Sequence, residues 1–333
     1  ASGTSNTLLH GSWVAGSTLS YIDFSSGSLG NDFLEWPGFN SSHPIASGRV
    51  MEFRSKIRHN GAGGYNLFSS PGTLRIVSNN TFYATNNRIY VRGGLTIENL
   101  GTIEMQGNGF NFYMDSSSGL LTNAPGATLL ALNSGNSVFG TAVNRFFKNE
   151  GTICADNNGL LAVIANYHSD AGSMIASNNG TIQFTLSSHL ATNVFGTNTT
   201  YATGDGGRIM LGGRFTRIGG TYVGDPSDAK IVLEETRASM PTSYIQVVGT
   251  DLIWSNVTAG GANFLLNQKR VEVHNNILFN PKQSAGHQYI TGASSAPRGT
   301  WVLAEGKTFT HQSASQVYIM TGATVENRGT FRF

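Results

Sequence analysis

The segment from Met51 to His59 carries the densest group of side chains that could do chemistry. Apolar and charged residues alternate along it, and its charged or titratable residues are Glu52, Arg54, Lys56, Arg58 and His59. Because successive side chains of a strand point to opposite faces, the alternation predicts one charged face and one apolar face. A charged face of this kind suits an anionic polysaccharide, or a lyase if one group acts as a base. A solvated strand that protects a sheet edge is the third interpretation.

Two tryptophans, Trp13 and Trp36, lie among the many aromatic residues of positions 1–48. Aromatic rings offer large apolar faces. If they point outward, these two rings form a platform on which sugars stack. If they point inward, they cover the end of a core. We predict an irregular cap or the first coils of the fold over residues 1–48, with the sugar platform as the alternative.

The remaining carboxylates and histidines do not form a recognisable catalytic set. Glycoside hydrolysis needs two carboxyl groups about 5–9 Å apart, and the adjacent Glu234 and Glu235 could place a general acid at a strand end. Asp205 and Asp225 lie in Gly-containing turns, where Asp is a common turn former. The histidines lack the spacing of zinc ligands. Catalytic residues therefore stay unassigned, and we expect no metal and no cofactor.

The composition narrows the class of protein. Of 333 residues, 12% are charged and 39% are hydrophobic, and the net charge is +2. Disordered chains have fewer hydrophobic residues, and nucleic-acid-binding proteins have a larger basic excess. No run of about 18 apolar residues predicts a membrane span. A polar but weakly charged chain is typical of extracellular all-β proteins, so we predict an extracellular or cell-surface location.

A short signature, Gly-Thr followed by an apolar residue, recurs along the chain. Its copies begin at Gly72, Gly101, Gly151, Gly180, Gly220, Gly299 and Gly329, with variants at Gly126 and Gly249. Most successive copies lie 25–30 residues apart, and the rhythm breaks only between Gly180 and Gly220. An Asn precedes many copies, and both Asn and Gly tolerate the positive φ of a tight corner.

A 25–30-residue repeat without helical periodicity predicts an all-β fold, a single right-handed parallel β-helix (β-solenoid) with three strands and three turns in each coil. Leucine-rich repeats would show their leucine pattern, and propeller blades would be longer. We predict the β-helix over residues 49–333, with an insertion around 190–207 where the rhythm breaks.

Stacked coils place equivalent residues above one another. We therefore predict a turn ladder whose amides bond from coil to coil, formed by Asn99, Asn123, Asn149 and Asn178 together with Gly101, Gly126, Gly151 and Gly180. An apolar ladder inside the coils would contain Ile103, Leu129, Ile153 and Ile182. Because the side-chain period of a strand is two, a register error of one residue would turn these side chains to the other face.

The phrases Asn149-Glu150-Gly151-Thr152-Ile153 and Asn178-Asn179-Gly180-Thr181-Ile182 carry a family resemblance. This phrasing resembles the passenger regions of bacterial autotransporters and of filamentous-haemagglutinin-type adhesins, over about residues 72–333. The resemblance implies a β-helix of the pectin-lyase-like superfold, which pectate-lyase-like enzymes and phage tailspikes share. The Asn-Thr-Asp, Asp-Asp and Gly-His-Gly motifs of polygalacturonases are absent from the sequence.

We therefore predict an extracellular, non-catalytic structural or adhesive protein, either an adhesin stalk or a filament subunit. The alternatives are a polysaccharide lyase or glycoside hydrolase, and a tailspike-like glycan-binding protein. The expected partners are a polysaccharide or host-surface glycan, and further copies of the chain in an end-to-end or trimeric arrangement. The sequence stops inside a coil at Phe331-Arg332-Phe333, so we expect that the solenoid continues beyond it or that this coil pairs with another molecule.

Overall fold

The computed structural model describes residues 19–22, 34–37, 41–60, 66–69, 71–85, 88–106, 111–114, 119–133, 136–138, 145–184, 192–238, 240–254, 263–279, 288–292, 298–312 and 315–333. Backbone contacts divide the chain into two units, Ala1–Asn166 and Tyr167–Phe333. Each unit consists of coils of short strands that pair in parallel.

The first unit contains eighteen short strands over its described residues. They are β1 (Leu19–Ile22), β2 (Leu34–Pro37), β3 (Ser41–Pro44), β4 (Val50–Phe53), β5 (Ile57–Asn60), β6 (Asn66–Ser69), β7 (Thr73–Ile76), β8 (Thr81–Thr85), β9 (Arg88–Val91), β10 (Thr96–Asn99), β11 (Thr102–Gln106), β12 (Asn111–Met114), β13 (Gly119–Asn123), β14 (Thr128–Leu132), β15 (Asn136–Val138), β16 (Arg145–Asn149), β17 (Thr152–Asp156) and β18 (Leu160–Val163).

Every third strand of the first unit pairs in parallel, so the strands form three columns. The first column is β1-β4-β7-β10-β13-β16. The second is β2-β5-β8-β11-β14-β17. The third is β3-β6-β9-β12-β15-β18. One coil is therefore one strand from each column.

Alternating burial gives each column an inner and an outer face. In the first column, the inward side chains lie directly above one another and are at most 6% exposed: Met51, Leu74, Ile97, Leu121 and Phe147. Full burial of such a side chain stabilises the fold by roughly 1.5–3 kcal/mol. Corners use left-handed residues, such as Asn133 with φ 61° and Gly126 with φ 82°.

The second unit continues with strands of the same kind. They are β19 (Asn166–Ser169), which begins at the last residue of the first unit, β20 (Ser173–Ala176), β21 (Thr181–Phe184), β22 (Thr192–Phe195), β23 (Thr200–Thr203), β24 (Arg208–Tyr222), β25 (Ile231–Ala238), β26 (Thr242–Val248), β27 (Leu252–Trp254), β28 (Asn263–Leu265), β29 (Arg270–Val273), β30 (Ile277–Phe279), β31 (Gln288–Thr291), β32 (Gly299–Leu303), β33 (Thr308–His311), β34 (Val317–Ile319), β35 (Ala323–Asn327) and β36 (Thr330–Arg332).

Strand β24 is the irregular element of the second unit. Its 15 residues pair with β21, β22 and β23 on one side and with β25 and β26 on the other. A one-turn 3₁₀ helix follows at Pro226–Asp228. From β26 onward three regular columns return: β26-β29-β32-β35, β27-β30-β33-β36 and β28-β31-β34.

The predicted fold class is confirmed within each unit, because the described residues are all-β and stack as parallel coils of a β-solenoid. Some residues of the predicted N-terminal cap belong to a regular coil of the solenoid, since β1, β2 and β3 pair with β4, β5 and β6. Within the described ranges, none of the helical structure has the length or apolarity of a membrane-spanning segment.

The structure differs from the insertion predicted around 190–207. Residues 192–203 contain β22 and β23, both paired in parallel within the second unit. Thr181 pairs with Arg208, so Gly207-Arg208 takes the place that a Gly-Thr copy would occupy. The signature is absent there because Arg208 stands where a copy has its outward Thr, although the coil itself is present. Residues 190 and 191 lie outside the described residues.

The predicted inner ladder forms in the first unit. Ile103, Leu129 and Ile153 stack in register and are buried. Ile182 belongs to the second unit, where it stacks on Ile209.

Candidate functional site

The segment from Met51 to His59 forms two strands and a corner rather than one strand. Strand β4 ends at Phe53 and β5 begins at Ile57, so Arg54 and Lys56 lie in the corner. Glu52 therefore belongs to the first column and Arg58 to the second. The prediction of a single charged face is wrong, because period-two alternation does not continue through a corner.

Glu52 and its cations form a network on the outer face of the first column. Arg54 Nη2 and Arg75 Nη1 lie 2.7 Å and 2.9 Å from the carboxylate of Glu52, and Arg75 Nε lies 2.6 Å from Glu98. Glu52, Arg75 and Glu98 are direct register neighbours on three successive strands. Although burial opposes ionisation of Glu52, the hydrogen bonds from Arg54 and Arg75 hold the pKa of this carboxyl below its usual value.

Arginines of the first unit lie over outward tyrosines. The guanidinium carbons lie 4.3 to 6.0 Å from the ring centroids in the pairs Arg54–Tyr21, Arg58–Tyr83, Arg88–Tyr113 and Arg92–Tyr90. These distances are within the range of cation–π attraction. The tyrosine faces therefore hold the arginines against the surface of the coils.

Two of these pairs lie together on the third column and form the candidate site. Tyr90 and Tyr113 are register neighbours on β9 and β12, with ring centroids 5.0 Å apart. Arg88 and Arg92 are both exposed, and Arg88 Nη1 lies 3.5 Å from the hydroxyl oxygen of Tyr90. We call Arg88, Tyr90, Arg92 and Tyr113 the third-column surface. The alternation Arg88-Ile89-Tyr90-Val91-Arg92 indicates an outward face with two arginines and a tyrosine, but the sequence-based predictions did not include this strand.

The segment that includes Arg88, Tyr90 and Arg92 is rich in basic residues. Residues 49–92 contain seven of the 21 Lys and Arg residues and one of the 19 Asp and Glu residues. The weak net charge of the chain therefore conceals a strongly basic segment. The single acid in this segment, Glu52, pairs with Arg54 and Arg75.

Two other predicted binding residues do not lie on an outer face. Trp36 is 1% exposed and His59 is 0% exposed, and their ring centroids are 5.3 Å apart in an edge-to-face contact. Burial, with a smaller contribution from His43, lowers the pKa of His59 to about 4. Trp36 and His59 thus belong to the core, which corrects their assignment as binding residues. Trp13 lies outside the described residues.

The buried asparagines of the first column bond from coil to coil. Asn99 Nδ2 donates to Asn123 Oδ1, and Asn123 Nδ2 donates to Asn149 Oδ1, each at 2.8 Å. Each donating amide also reaches a backbone carbonyl of the next coil, Thr128 O from Asn99 and Thr152 O from Asn123, at 3.0 Å. The backbone N–H of Gly101 donates to Asn99 Oδ1 at 3.2 Å. We call Asn99, Asn123 and Asn149 the asparagine ladder.

Three predicted members of the turn ladder lie elsewhere. Asn178 is an exposed turn residue of the second unit with φ 47°. Gly126 is an exposed corner residue, and the register places Ala127 rather than Gly126 between Gly101 and Gly151. Sequence spacing missed this shift because the corner from Asn123 to Thr128 is longer than the corner from Asn99 to Thr102. Gly180, like Asn178, belongs to the second unit, where it is buried before β21.

The second unit carries another charged network beside a groove. Arg270 Nε lies 2.7 Å from Glu272, and Arg270 Nη1 lies 2.8 Å from Glu326. His274 Nε2 lies 3.4 Å from Glu272, and the His274 ring packs 4.4 Å from the ring of Tyr244. The hydrogen bonds of Arg270 hold the pKa values of Glu272 and Glu326 below their usual range.

The groove has a cavity volume of about 400 Å³, and Asp251, His274 and Lys307 contribute to its lining. A smaller depression of about 230 Å³ also borders His274. The sequence contains eight histidines, and their spacing does not single out His274, because spacing alone does not show which corners lie next to one another. Within the portion of the chain that the structure describes, no group of three or more His, Cys, Asp or Glu side chains could hold a metal ion.

Comparisons with protein-family models, with curated proteins and with solved structures found no match. The structure shows that the chain is a parallel β-solenoid, and the comparisons assign it to no narrower family.

Proposed function

We propose that this chain is an extracellular, non-catalytic adhesive β-solenoid that binds an anionic glycan through the third-column surface. The observation that carries the proposal is the pair of exposed arginines, Arg88 and Arg92, that lie over the neighbouring, mutually tilted rings of Tyr113 and Tyr90. The basic segment around them, residues 49–92, supports the same conclusion.

The chemistry of the third-column surface favours an anion. A guanidinium is a planar donor that matches the oxygens of carboxylate and phosphate groups, and sulfate offers a similar oxygen geometry. Contact with a tyrosine ring restricts the arginine before a ligand arrives, so less conformational entropy is lost on binding. The exposed parts of Tyr90 and Tyr113 then offer apolar area to the C–H groups of a sugar ring.

Bonds between coils support the structural part of the proposal. The asparagine ladder joins three coils of the first unit from inside, and Arg75 joins Glu52 to Glu98 on the outside. A buried side chain that bonds to both neighbouring coils resists their separation. This arrangement suits a stalk that presents a binding surface.

The competing function is a polysaccharide lyase or a glycoside hydrolase. A general acid must hold its proton near neutral pH, which requires a raised carboxyl pKa. Glu52, Glu272 and Glu326 instead have lowered pKa values because arginines donate hydrogen bonds to them. These three carboxylates suit ion pairing better than proton donation.

Binding of the full chain to immobilised dextran sulfate and to unsulfated dextran tests the proposal. We expect tighter binding to dextran sulfate, and at least a tenfold loss of that difference in the double variant Arg88→Gln/Arg92→Gln. Arg208→Gln, which changes an exposed arginine of the second unit, is the matched control and should bind as the unchanged chain does.

Four results would contradict the proposal. Equal binding of the two dextrans would show that the chain does not select an anionic glycan. Unchanged binding by the double variant would show that the third-column surface is not the binding site. Shortened glycan chains after incubation with polygalacturonate or with a panel of neutral polysaccharides, seen by gel filtration, would establish turnover and favour the enzyme. The proposal also includes end-to-end or trimeric self-association. A monomer mass at all concentrations, measured by light scattering, would contradict this part of the proposal.

A further inference from the structure

Three segments of the second unit form the groove beside His274. The segment after β26 contributes Asp251, and the segment after β29 contributes His274 and Asn276. The segment after β32 contributes Lys307. Strands β26, β29 and β32 are successive members of one column. The groove therefore runs across neighbouring coils, and its volume of about 400 Å³ lies within the range of roughly 300–1,000 Å³ for small-molecule sites.

Hydrogen bonds fix the walls of the groove. The buried Asn275 accepts a bond from Val247 N at 2.8 Å and donates to Val247 O at 2.7 Å and to Thr250 O at 3.0 Å. Asn276 Nδ2 donates to Asp251 Oδ1 at 2.9 Å, and Thr308 N donates to Asn276 Oδ1 at 2.9 Å. The polar groups are thus positioned before a ligand enters.

The groove offers hydrogen-bond donors, acceptors and apolar area with balanced charge. Asp251 provides a carboxylate acceptor and Lys307 an ammonium donor, so these two charges cancel. Gln246 lies on the same wall, where its Oε1 accepts from Tyr244 at 2.7 Å. Val248 is 56% exposed, and it gives the groove an apolar contact. Hydroxyl groups both donate and accept hydrogen bonds, so a polyhydroxylated ligand uses all of these groups.

We infer that this groove is a second binding site, which takes a neutral oligosaccharide. Sugar hydroxyls would donate to Asp251 and accept from Lys307, and the C–H face of a sugar ring would contact Val248. The smaller depression shares His274 with the groove, and its lining also includes Glu272, Glu305 and Arg328. Its acidic excess disfavours an anionic ligand. This site is separate from the proposed anionic site, because it belongs to the other unit.

Calorimetric titration of the full chain with neutral pentasaccharides tests the inference. The probes are maltopentaose, cellopentaose, mannopentaose and N-acetylchitopentaose, and we expect at least one to bind. Asp251→Asn keeps an acceptor for Asn276 while it removes the charge, and Lys307→Gln changes a corner side chain. Each substitution should weaken binding at least fivefold.

Asp205→Asn and Lys269→Gln are the matched controls, since both change turn residues of the second unit outside the groove. They should leave the affinity unchanged. The inference is overturned if no pentasaccharide binds the unchanged chain, or if Asp251→Asn and Lys307→Gln bind as it does. Dextran sulfate binding that persists in the groove variants would leave the proposed function intact, so the two failures are distinguishable.

Discussion

The imidazole of His59 is the most environmentally sensitive group in the first unit. It is 0% exposed, and its neighbours include the rings of Trp36 and Phe82 and the buried His43. A charged imidazole at this position would lose its hydration. Burial and His43 therefore lower its pKa from 6.5 to about 4.

This pKa shift predicts an acid-sensitive core. The unfolded chain binds a proton at His59 near pH 6.5 and the folded chain only near pH 4, so stability is complete above pH 6.5 and falls as the pH decreases through this interval. With a pKa lowered to about 4, the loss reaches about 3 kcal/mol at pH 4. Urea denaturation between pH 4.5 and 7 should show the decline. His59→Leu should flatten the curve, whereas His168→Gln, which changes an exposed histidine, should not. A similar slope in His59→Leu would contradict this origin.

At the residue scale, the sequence predicted the alternation but not the place where it stops. Met51 and Phe53 are inward, as the pattern required. The corner at Arg54–Lys56 was not recognisable because Arg, Ser and Lys do not force a turn as Gly or Pro would. His59 and Trp36 were offered as binding residues because both residue types occur in binding sites as well as in cores.

At the scale of the elements, the asparagine ladder makes each coil depend on the next. Asn123 accepts from Asn99 and donates to Asn149 and to the carbonyl of Thr152, and it is only 1% exposed. Removing it takes an acceptor from Asn99 and a donor from Asn149 and from the carbonyl of Thr152. A buried hydrogen bond that is lost without replacement costs about 1–3 kcal/mol.

We therefore expect Asn123→Ala to lower the free energy of unfolding by about 3 kcal/mol, because it leaves several buried groups unsatisfied. Thr122→Ala changes the adjacent outward residue of the same strand and should cost less than about 1 kcal/mol. Urea denaturation with fluorescence detection measures both. Equal losses in the two variants would show that the ladder adds nothing specific.

The sequence predicted the ladder through a repeated Asn, and it misplaced Gly126 through a repeated Gly. Gly101 and Gly151 are confined by backbone oxygens 2.4–2.5 Å from where a Cβ would lie. Gly126 has open space around it and a φ of 82°. One residue type thus serves two different needs, close approach and a left-handed corner, and spacing alone does not separate them.

At the scale of the whole molecule, the distribution of charge matters more than its sum. Seven of the 21 basic residues and one of the 19 acidic residues lie in positions 49–92. The rest of the chain is therefore acidic overall. A net charge of +2 does not indicate how strongly the basic segment attracts an anion.

Salt should separate the two proposed binding activities. Electrostatic attraction is screened over about 10 Å at 0.1 M salt and over about 3 Å at 1 M. Dextran sulfate binding should therefore weaken at least tenfold between these concentrations, while binding of a neutral pentasaccharide should change little. Calorimetry at both salt concentrations checks this. Anionic binding that is insensitive to salt would exclude the arginines as its source.

The fold class was predictable because a coil repeats one physical requirement, an inward strand followed by a tight corner, at nearly constant length. The sites were not, because the third-column surface and the groove depend on which coils and corners become neighbours. Arg88 and Tyr113 lie 25 positions apart in the sequence and meet only because β9 and β12 pair.

The position of Arg75 limits how the number of repeats can change. Excision of its coil would bring Glu52 next to Glu98, and two carboxylates would then oppose each other without the cation that now serves both. Like charges directly opposite one another destabilise a sheet. Excision of the coil that holds Asn123 would instead place the amides of Asn99 and Asn149 next to each other, and these can hydrogen-bond. Loss of a coil is thus opposed by the exterior at Arg75 and tolerated by the asparagine ladder at Asn123.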